Sequence, residues 1–169
     1  VSYRSCSLHH TSSDDRADTD SSTSSDLWFP TSDFQCLDQN SNSLSRDQCN
    51  FGPSYYTQSS SFSYLTYDNN FNISYGDGEF VSGYGGIEKV TIGSITVPDA
   101  EFGVATIGYW SGDDYTNGLL GLANPLLTSI FYGKDGSNDS GDNEAEYNPW
   151  FYQAVKDNLV APCECRMPS

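Results

Sequence analysis

Phe71-Asn72-Ile73-Ser74-Tyr75-Gly76-Asp77-Gly78-Glu79-Phe80-Val81 is the stretch whose reading decides the fold. From Phe71 to Tyr75 large apolar residues alternate with polar ones, the period of a half-buried strand. Gly76-Asp77-Gly78 then supplies residues that accept positive φ, so the chain is expected to reverse there as a hairpin. Phe80-Val81 opens the return strand, which Gly83, Gly85 and Gly86 are expected to interrupt as bulges or close backbone approaches.

The same grammar extends outward. Val90-Thr91-Ile92, Gly93-Ser94 and Ile95-Thr96-Val97 read as a second hairpin, and Phe102-Gly103-Val104-Ala105 as a further strand. Leu119-Leu120-Gly121-Leu122 reads as a short buried strand. Upstream, Leu27-Trp28-Phe29-Pro30 is an apolar run stopped by proline, and Ser61 to Asp68 is roughly strand-like. Only the end looks helical: Pro149 suits a first turn, and Trp150, Phe151, Ala154, Val155 and Leu159 mark one face. Many short strands with turns between them predict an all-β domain with one or two short helices.

Composition narrows the function classes. Among 169 residues, 7 Lys plus Arg face 23 Asp plus Glu, a formal net charge of −16. So few basic residues cannot build the face that nucleic acid or an anionic membrane requires. No apolar run approaches the roughly 20 residues of a membrane span. Yet 12 Tyr, 9 Phe and 3 Trp separate this chain from disordered acidic tails, which are poor in aromatics. An acidic, aromatic-rich domain suits a protein secreted into acid, where protonation relieves self-repulsion; plain solubility is the alternative reading.

Residues 1–23 are Ser-rich with little apolar periodicity and are expected to be disordered; residues 24–162 form the domain, and 163–169 an atypical tail. No basic segment leads into an apolar one, so no signal peptide is expected in this chain. Cys36 and Cys49 flank a polar, turn-rich loop. A disulfide between them closes about a dozen residues, worth roughly 3 kcal/mol; two free thiols are the alternative. Cys163 and Cys165 are too close for an ordinary mutual bridge, and Cys6 lies in the Ser-rich segment. Asn72-Ile73-Ser74 and Asn138-Asp139-Ser140 are glycosylation sequons, so Asn72 and Asn138 are candidate acceptors. His9 and His10 lack any nucleophile signature, the acidic stretch Asp135 to Glu146 lacks the spacing of a calcium loop, and no glycine pattern fits a phosphate. No metal and no cofactor are expected.

The motifs occur in a telling order. Ser24-Ser25-Asp26-Leu27-Trp28 comes first, then the Cys-bounded loop, then Tyr75-Gly76-Asp77-Gly78. Val90-Thr91-Ile92-Gly93, Leu119-Leu120-Gly121-Leu122 and Tyr147-Asn148-Pro149-Trp150-Phe151 follow. In this order and spacing, from about Ser24 to Pro162, the chain resembles the N-terminal lobe of the pepsin-like aspartic proteases, in particular their fungal secreted branch. The resemblance implies an acid-protease barrel lobe, incomplete at both ends, from an aspartic-type endopeptidase that is secreted, extracellular or vacuolar. It implies a polypeptide substrate, cleaved in acid by two carboxyl groups about 3 Å apart that share a proton, one activating water and the other polarising the carbonyl. Tyr75, Gly76, Asp77 and Gly78 would form a flap over the substrate. Trp28 would be the cleft-wall partner of Tyr75, and Leu119-Leu120-Gly121 would brace the catalytic loop. Without the resemblance, Tyr75 reads simply as a hairpin aromatic packed on a neighbour.

The chain also departs from that pattern. In the family a D-T/S-G motif precedes S-S-D-L-W, but here those positions hold Ser21, Ser22 and Thr23. Sliding three residues upstream offers Asp18-Thr19-Asp20 and makes Asp18 the candidate catalytic residue. The second lobe, with its own aspartate, is expected to be missing. The expectation is therefore an endopeptidase by descent, with this chain alone inactive. The alternatives are a catalytically silent homologue that binds peptide or polysaccharide in the cleft, and an acidic secreted structural domain.

Overall fold

The computed structural model describes residues 24–65, 68–134 and 136–160. They form one curled sheet with a single short α-helix. The elements are β1 (Leu27–Cys36), β2 (Ser63–Tyr64), β3 (Asn69–Ser74), β4 (Phe80–Ile92), β5 (Ile95–Tyr109), β6 (Leu119–Leu120), β7 (Ile130–Tyr132) and α1 (Trp150–Lys156). The sheet order is β6-β1-β5-β4-β3-β7, with β2 on the edge of β4. All pairs are antiparallel except β1 with β5, which run parallel.

Two long strands replace the shorter ones that local signals predict. β4 runs on through Gly83, Gly85 and Gly86, and the expected bulge falls at Ser82/Gly83, with a second irregularity at Glu88/Val90. A Cβ at Gly83 would run into the Val104 carbonyl, so glycine there lets the two backbones close up. From Ile95 onward the pairing is equally continuous. The return strand of the second hairpin and the strand around Phe102 are one element, β5. Pro98 fits within it because it lies opposite the Glu88/Val90 irregularity, where no ladder N–H is needed.

β1 likewise passes through Pro30 and continues to Cys36, with a register shift against β5 between Pro30 and Gln35. The Pro30 carbonyl, free to accept although its nitrogen cannot donate, takes the Tyr56 N–H at 2.9 Å. Two further expectations need correcting. β6 is not a buried strand, since Leu119 is half-buried and Leu120 and Leu122 are exposed. At α1, Pro149 caps the helix from outside its first turn, and only Trp150 and Ala154, one turn apart, are buried. Phe151, and Leu159 beyond the helix end, face solvent.

Period-two alternation in β1 sends neighbouring side chains into two different cores. Trp28 enters a cluster with Phe34, Phe71, Ile73, Val81, Ile130 and Tyr147. Leu27 enters one with Val97, Phe102, Val104, Trp150 and Ala154, so α1 covers the opposite face of the sheet. At the far end of β1, Cys36 and Cys49 are joined by a disulfide with Cα atoms 5.8 Å apart. No helix among the described residues is long and apolar enough to cross a membrane.

Candidate functional site

The segment Ser24-Ser25-Asp26 enters β1 against the backbone of Gly121. The Gly121 N–H donates to the Asp26 carbonyl at 2.8 Å, and a Cβ on Gly121 would strike the Ser24 carbonyl. The Ser25 hydroxyl donates to the Asn124 carbonyl at 2.5 Å, and the Ala123 N–H to the Ser24 carbonyl at 3.3 Å. Residues 119–124 thus clamp the three residues that precede the strand.

Asp26 is fully buried. Its Oδ1 accepts the Tyr147 hydroxyl at 2.5 Å and the Ser129 N–H at 3.0 Å. Its Oδ2 is buried without a hydrogen-bond partner among the described residues. Burial raises the carboxyl above its ordinary range, and the Tyr147 and Ser129 hydrogen bonds offset only part of that rise. Asp26 therefore ties the entry to β1 to two distant segments, at Ser129 and Tyr147.

The hairpin at 75–79 stands over the same region. Tyr75 N–H donates to the Glu79 carbonyl at 2.8 Å, Gly78 N–H to the Tyr75 carbonyl at 3.0 Å, and Glu79 N–H to the Asp77 carboxylate at 3.0 Å. Gly78 has φ of 91°, a conformation that disfavours a side chain. Gly76, Asp77 and Gly78 are exposed, whereas Tyr75 folds inward. Its hydroxyl accepts the Trp28 indole N–H at 2.8 Å, and its ring meets Trp110 edge-on at 5.7 Å. Trp110 in turn packs edge-on to Trp28 at 5.0 Å and stacks with Phe51 at 6.3 Å. Burial raises the Tyr75 phenol, with the Asp26 and Glu79 carboxyls adding to the rise and the Trp28 bond opposing it. Glu79 holds the hairpin base to the next segment by accepting the Ser111 N–H at 2.6 Å.

Beside Tyr75 lies a cavity of about 330 Å³, open to solvent, walled by Ser24, Ser74, Leu126, Leu127 and Glu144 among others. Burial raises the Glu144 carboxyl, and Glu146 and Asp26 raise it further; only the Thr128 hydroxyl opposes them.

Sequence-predicted residues distribute unevenly over this geometry. Trp28 and Tyr75 meet, and Gly76, Asp77 and Gly78 form the turn. Leu119 to Gly121 line up against Ser24 to Trp28. Asn72 sits on β3 with its amide donating to Asp139 at 3.3 Å and its carbonyl accepting the Ser82 hydroxyl at 3.0 Å. Asn138 ends the turn Gly136–Asn138. In the acidic stretch, residues 136–146 pack against the sheet: Ala145 is buried, Asp139 holds Asn70 and Asn72, and Glu144 bridges to Phe131. Asp18, His9, His10, Cys6, Cys163 and Cys165 lie outside the described residues, as do the segments 1–23 and 163–169. Sequence reasoning assigns no role to Trp110, Phe51, Tyr147 or Glu144. Tyr147 does carry a signal, since it stands in the motif order just before the Asn-Pro helix start; the others carry no local one.

The profile of eukaryotic aspartyl proteases matches residues 17–158. The chain belongs to that family. This aspartyl protease chain is 34% identical over 140 residues to a probable aspartic-type endopeptidase of Aspergillus fumigatus, covering 82% of this chain and 30% of the relative. It is 33% identical over 103 residues to barrierpepsin of Saccharomyces cerevisiae, covering 61% and 16% of the two chains. Against gastricsin of Homo sapiens it is 35% identical over 107 residues, covering 62% and 24%. The aspartyl protease chain thus spans less than a third of these relatives' length. Its fold is similar to part of an aspartic proteinase from Irpex lacteus, with a TM-score of 0.53 at 21% identity, over 82% of this chain and 31% of that one.

Proposed function

We propose that this aspartyl protease chain is one lobe of an acid endopeptidase, with the 75–79 hairpin as its flap over a bound polypeptide. The observation that carries the reading is the Trp28 indole bond to the Tyr75 hydroxyl, 2.8 Å. It pins the inner end of the hairpin to the strand that follows Ser24-Ser25-Asp26, while Gly76, Asp77 and Gly78 project into solvent. That is the arrangement of a cover with a fixed hinge and a free tip. Trp28, itself fully buried, then backs Tyr75 at the cleft wall, and residues 119–121 brace the loop that carries the catalytic group.

Hydrolysis in this reading needs two carboxyl groups close enough to share one proton, which confines activity to acid. Asp18 is the catalytic candidate in this chain, and the family match, starting at residue 17, takes it in. The ungapped register instead puts Ser21, Ser22 and Thr23 at the catalytic motif. The 169-residue chain alone is accordingly proposed to bind peptides without cleaving them, with the second carboxyl supplied by another lobe. The same register favours a second reading, a homologue whose cleft binds peptide or polysaccharide and never cleaves. Secretion to an extracellular or vacuolar acid compartment, with the Cys36–Cys49 bridge and glycan at Asn72 or Asn138, completes the proposal.

Incubation of the purified chain with a denatured protein substrate at about pH 3–5, with and without pepstatin, tests it. The expected result is pepstatin binding without cleavage. Pepstatin-sensitive cleavage would overturn the inactivity of the lone chain; failure to bind pepstatin or any peptide would remove the cleft reading.

A further inference from the structure

We propose that Glu79 is a proton-operated tether for the 75–79 hairpin: its neutral carboxyl holds the hairpin base to residues 110–112, and its ionisation releases that base. This rests on the flap reading above and adds a control to it, separate from any proton shared at the cleft.

Glu79 makes three contacts, one from each part of the residue. Its carbonyl accepts the Tyr75 N–H at 2.8 Å, which closes the hairpin, and its own N–H donates to the Asp77 carboxylate at 3.0 Å. Only its side chain leaves the hairpin, to accept the Ser111 N–H at 2.6 Å. The backbone ladder between β4 and β5 ends at Phe80 and Tyr109, so this carboxyl adds one hydrogen bond beyond the last backbone pair. The segment it reaches is itself anchored. Gly112 N–H donates to the Cys49 carbonyl at 3.0 Å, Asp114 N–H donates to the Asn50 carbonyl at 2.8 Å, and Cys49 is bridged to Cys36. Trp110, beside Ser111, meets the Tyr75 ring at 5.7 Å. The hairpin therefore rests on this segment at two points, an aromatic contact and a carboxyl. Only the carboxyl changes charge between acid and neutral pH.

The surroundings of that charge decide when the tether holds. Glu79 is half-buried, Asp77 stands in the same turn, and the Tyr75 phenol is the other titratable group of the hairpin. On the facing side Asp113 turns to the Tyr115 and Thr116 N–H groups, Asp114 is exposed, and the Tyr109 hydroxyl accepts the Gln39 amide. No basic side chain among the described residues acts on Glu79. A neutral carboxyl accepts the Ser111 N–H through its carbonyl oxygen at little cost. A carboxylate keeps that bond but loses water beside a like charge. Burial raises the carboxyl, the Ser111 N–H opposes the rise and Asp77 adds to it. A docked carboxyl thus holds its proton more tightly than an undocked one in water, so acid favours the docked hairpin and rising pH the undocked one. The hairpin is seated in acid, where the proposed hydrolysis runs, and loosens towards neutrality.

Hydrogen exchange of the Ser111 amide, read by NMR at about pH 4 and about pH 7 and corrected for the intrinsic rate, tests the tether. In wild type its protection should fall at least about tenfold, since one proton allows up to about tenfold per pH unit. Glu79→Gln keeps the acceptor without the charge and should stay protected at both pH values; Glu79→Ala should be unprotected at both. The Gly112 amide, bonded to an uncharged carbonyl in the same segment, should keep its protection throughout. Equal protection of Ser111 at both pH values in wild type overturns the tether. So does the same fall in Glu79→Gln, or a matching fall at Gly112, which would mean that the whole segment loosens. Pepstatin binding by the same samples judges the flap reading separately: no binding by either wild type or Glu79→Gln at either pH overturns that reading, while Ser111 exchange still decides the tether.

Discussion

Asp26→Asn separates the charge of the buried carboxyl from its shape. In the folded chain Asp26 has no exposure, its Oδ2 has no partner among the described residues, and burial raises its pKa above the ordinary 3.8. An acid whose folded pKa is raised binds its proton more tightly in the folded state, so stability falls as pH rises. The loss begins above the unfolded value and is complete once pH passes the folded value. One proton sets the limiting slope, about 1.4 kcal/mol per pH unit. In a domain of this size that corresponds to roughly 5 °C in Tm per pH unit. Asparagine keeps the acceptor for Tyr147 and Ser129 and carries no charge at any pH. Thermal unfolding of wild type and Asp26→Asn, followed by tryptophan fluorescence from about pH 3 to pH 8, should therefore give matching Tm values in acid. Above about pH 4 the curves should diverge, with the variant the more stable. Glu79 and Glu101, whose carboxyls are also raised, contribute equally to both proteins and cancel in the difference. Glu144, which the Asp26 charge raises, loses part of its rise in the variant and widens the divergence in the same direction. Curves that stay parallel across the range would refute the claim that Asp26 carries a protonation penalty.

Four further outcomes follow from the same geometry. Tyr147→Phe removes the hydroxyl donor to a buried oxygen and should cost about 1–3 kcal/mol in urea unfolding. Trp28→Phe and Tyr75→Phe should show a coupling of about 0.5–1.5 kcal/mol in a double-mutant cycle, since each removes one end of the 2.8 Å bond; additive losses would mean that bond is not formed. Cys36→Ala with Cys49→Ala opens a link between residues 13 apart and should lower stability by about 3 kcal/mol relative to the oxidised parent, with the reduced parent falling to about the same level as the variant. Gly121→Ala places a methyl against the Ser24 carbonyl and should shift backbone amide signals at Ser24, Ser25 and Asp26 in NMR spectra even where the chain stays folded.

Legibility follows the range of the interaction. The 71–81 hairpin is readable because alternation and a Gly-Asp-Gly turn are local, and the pairs Ile73 with Val81 and Ser74 with Phe80 follow from them. Proline misleads as a stop signal at Pro30, which, like Pro98, sits where a register irregularity spares the ladder, a condition set by the partner strand. Leu120 and Leu122 mislead as core residues, because apolar identity does not say which surface remains uncovered. In the candidate site, Trp28 and Tyr75 are named from motif order. Trp110 and Phe51, which complete the aromatic cluster around them, are invisible because no spacing rule links residues brought together by sheet curvature.

Charge and aromatic content, the turn chemistry at 76–78 and the ordered motifs were enough to establish an acidic, all-β aspartyl protease lobe. Each rests on residue identity or on contacts between near neighbours. Only the tertiary structure decided that Asp26 is a buried tie from the entry of β1 to residues 129 and 147, with one oxygen unpartnered among the described residues. The same holds for Glu144, which the sequence places in an acidic loop and the fold turns into the wall of a cavity beside Tyr75. A carboxyl's chemistry depends on the water removed from it and the groups packed around it, and for Asp26 both are set by segments more than a hundred residues away along the chain.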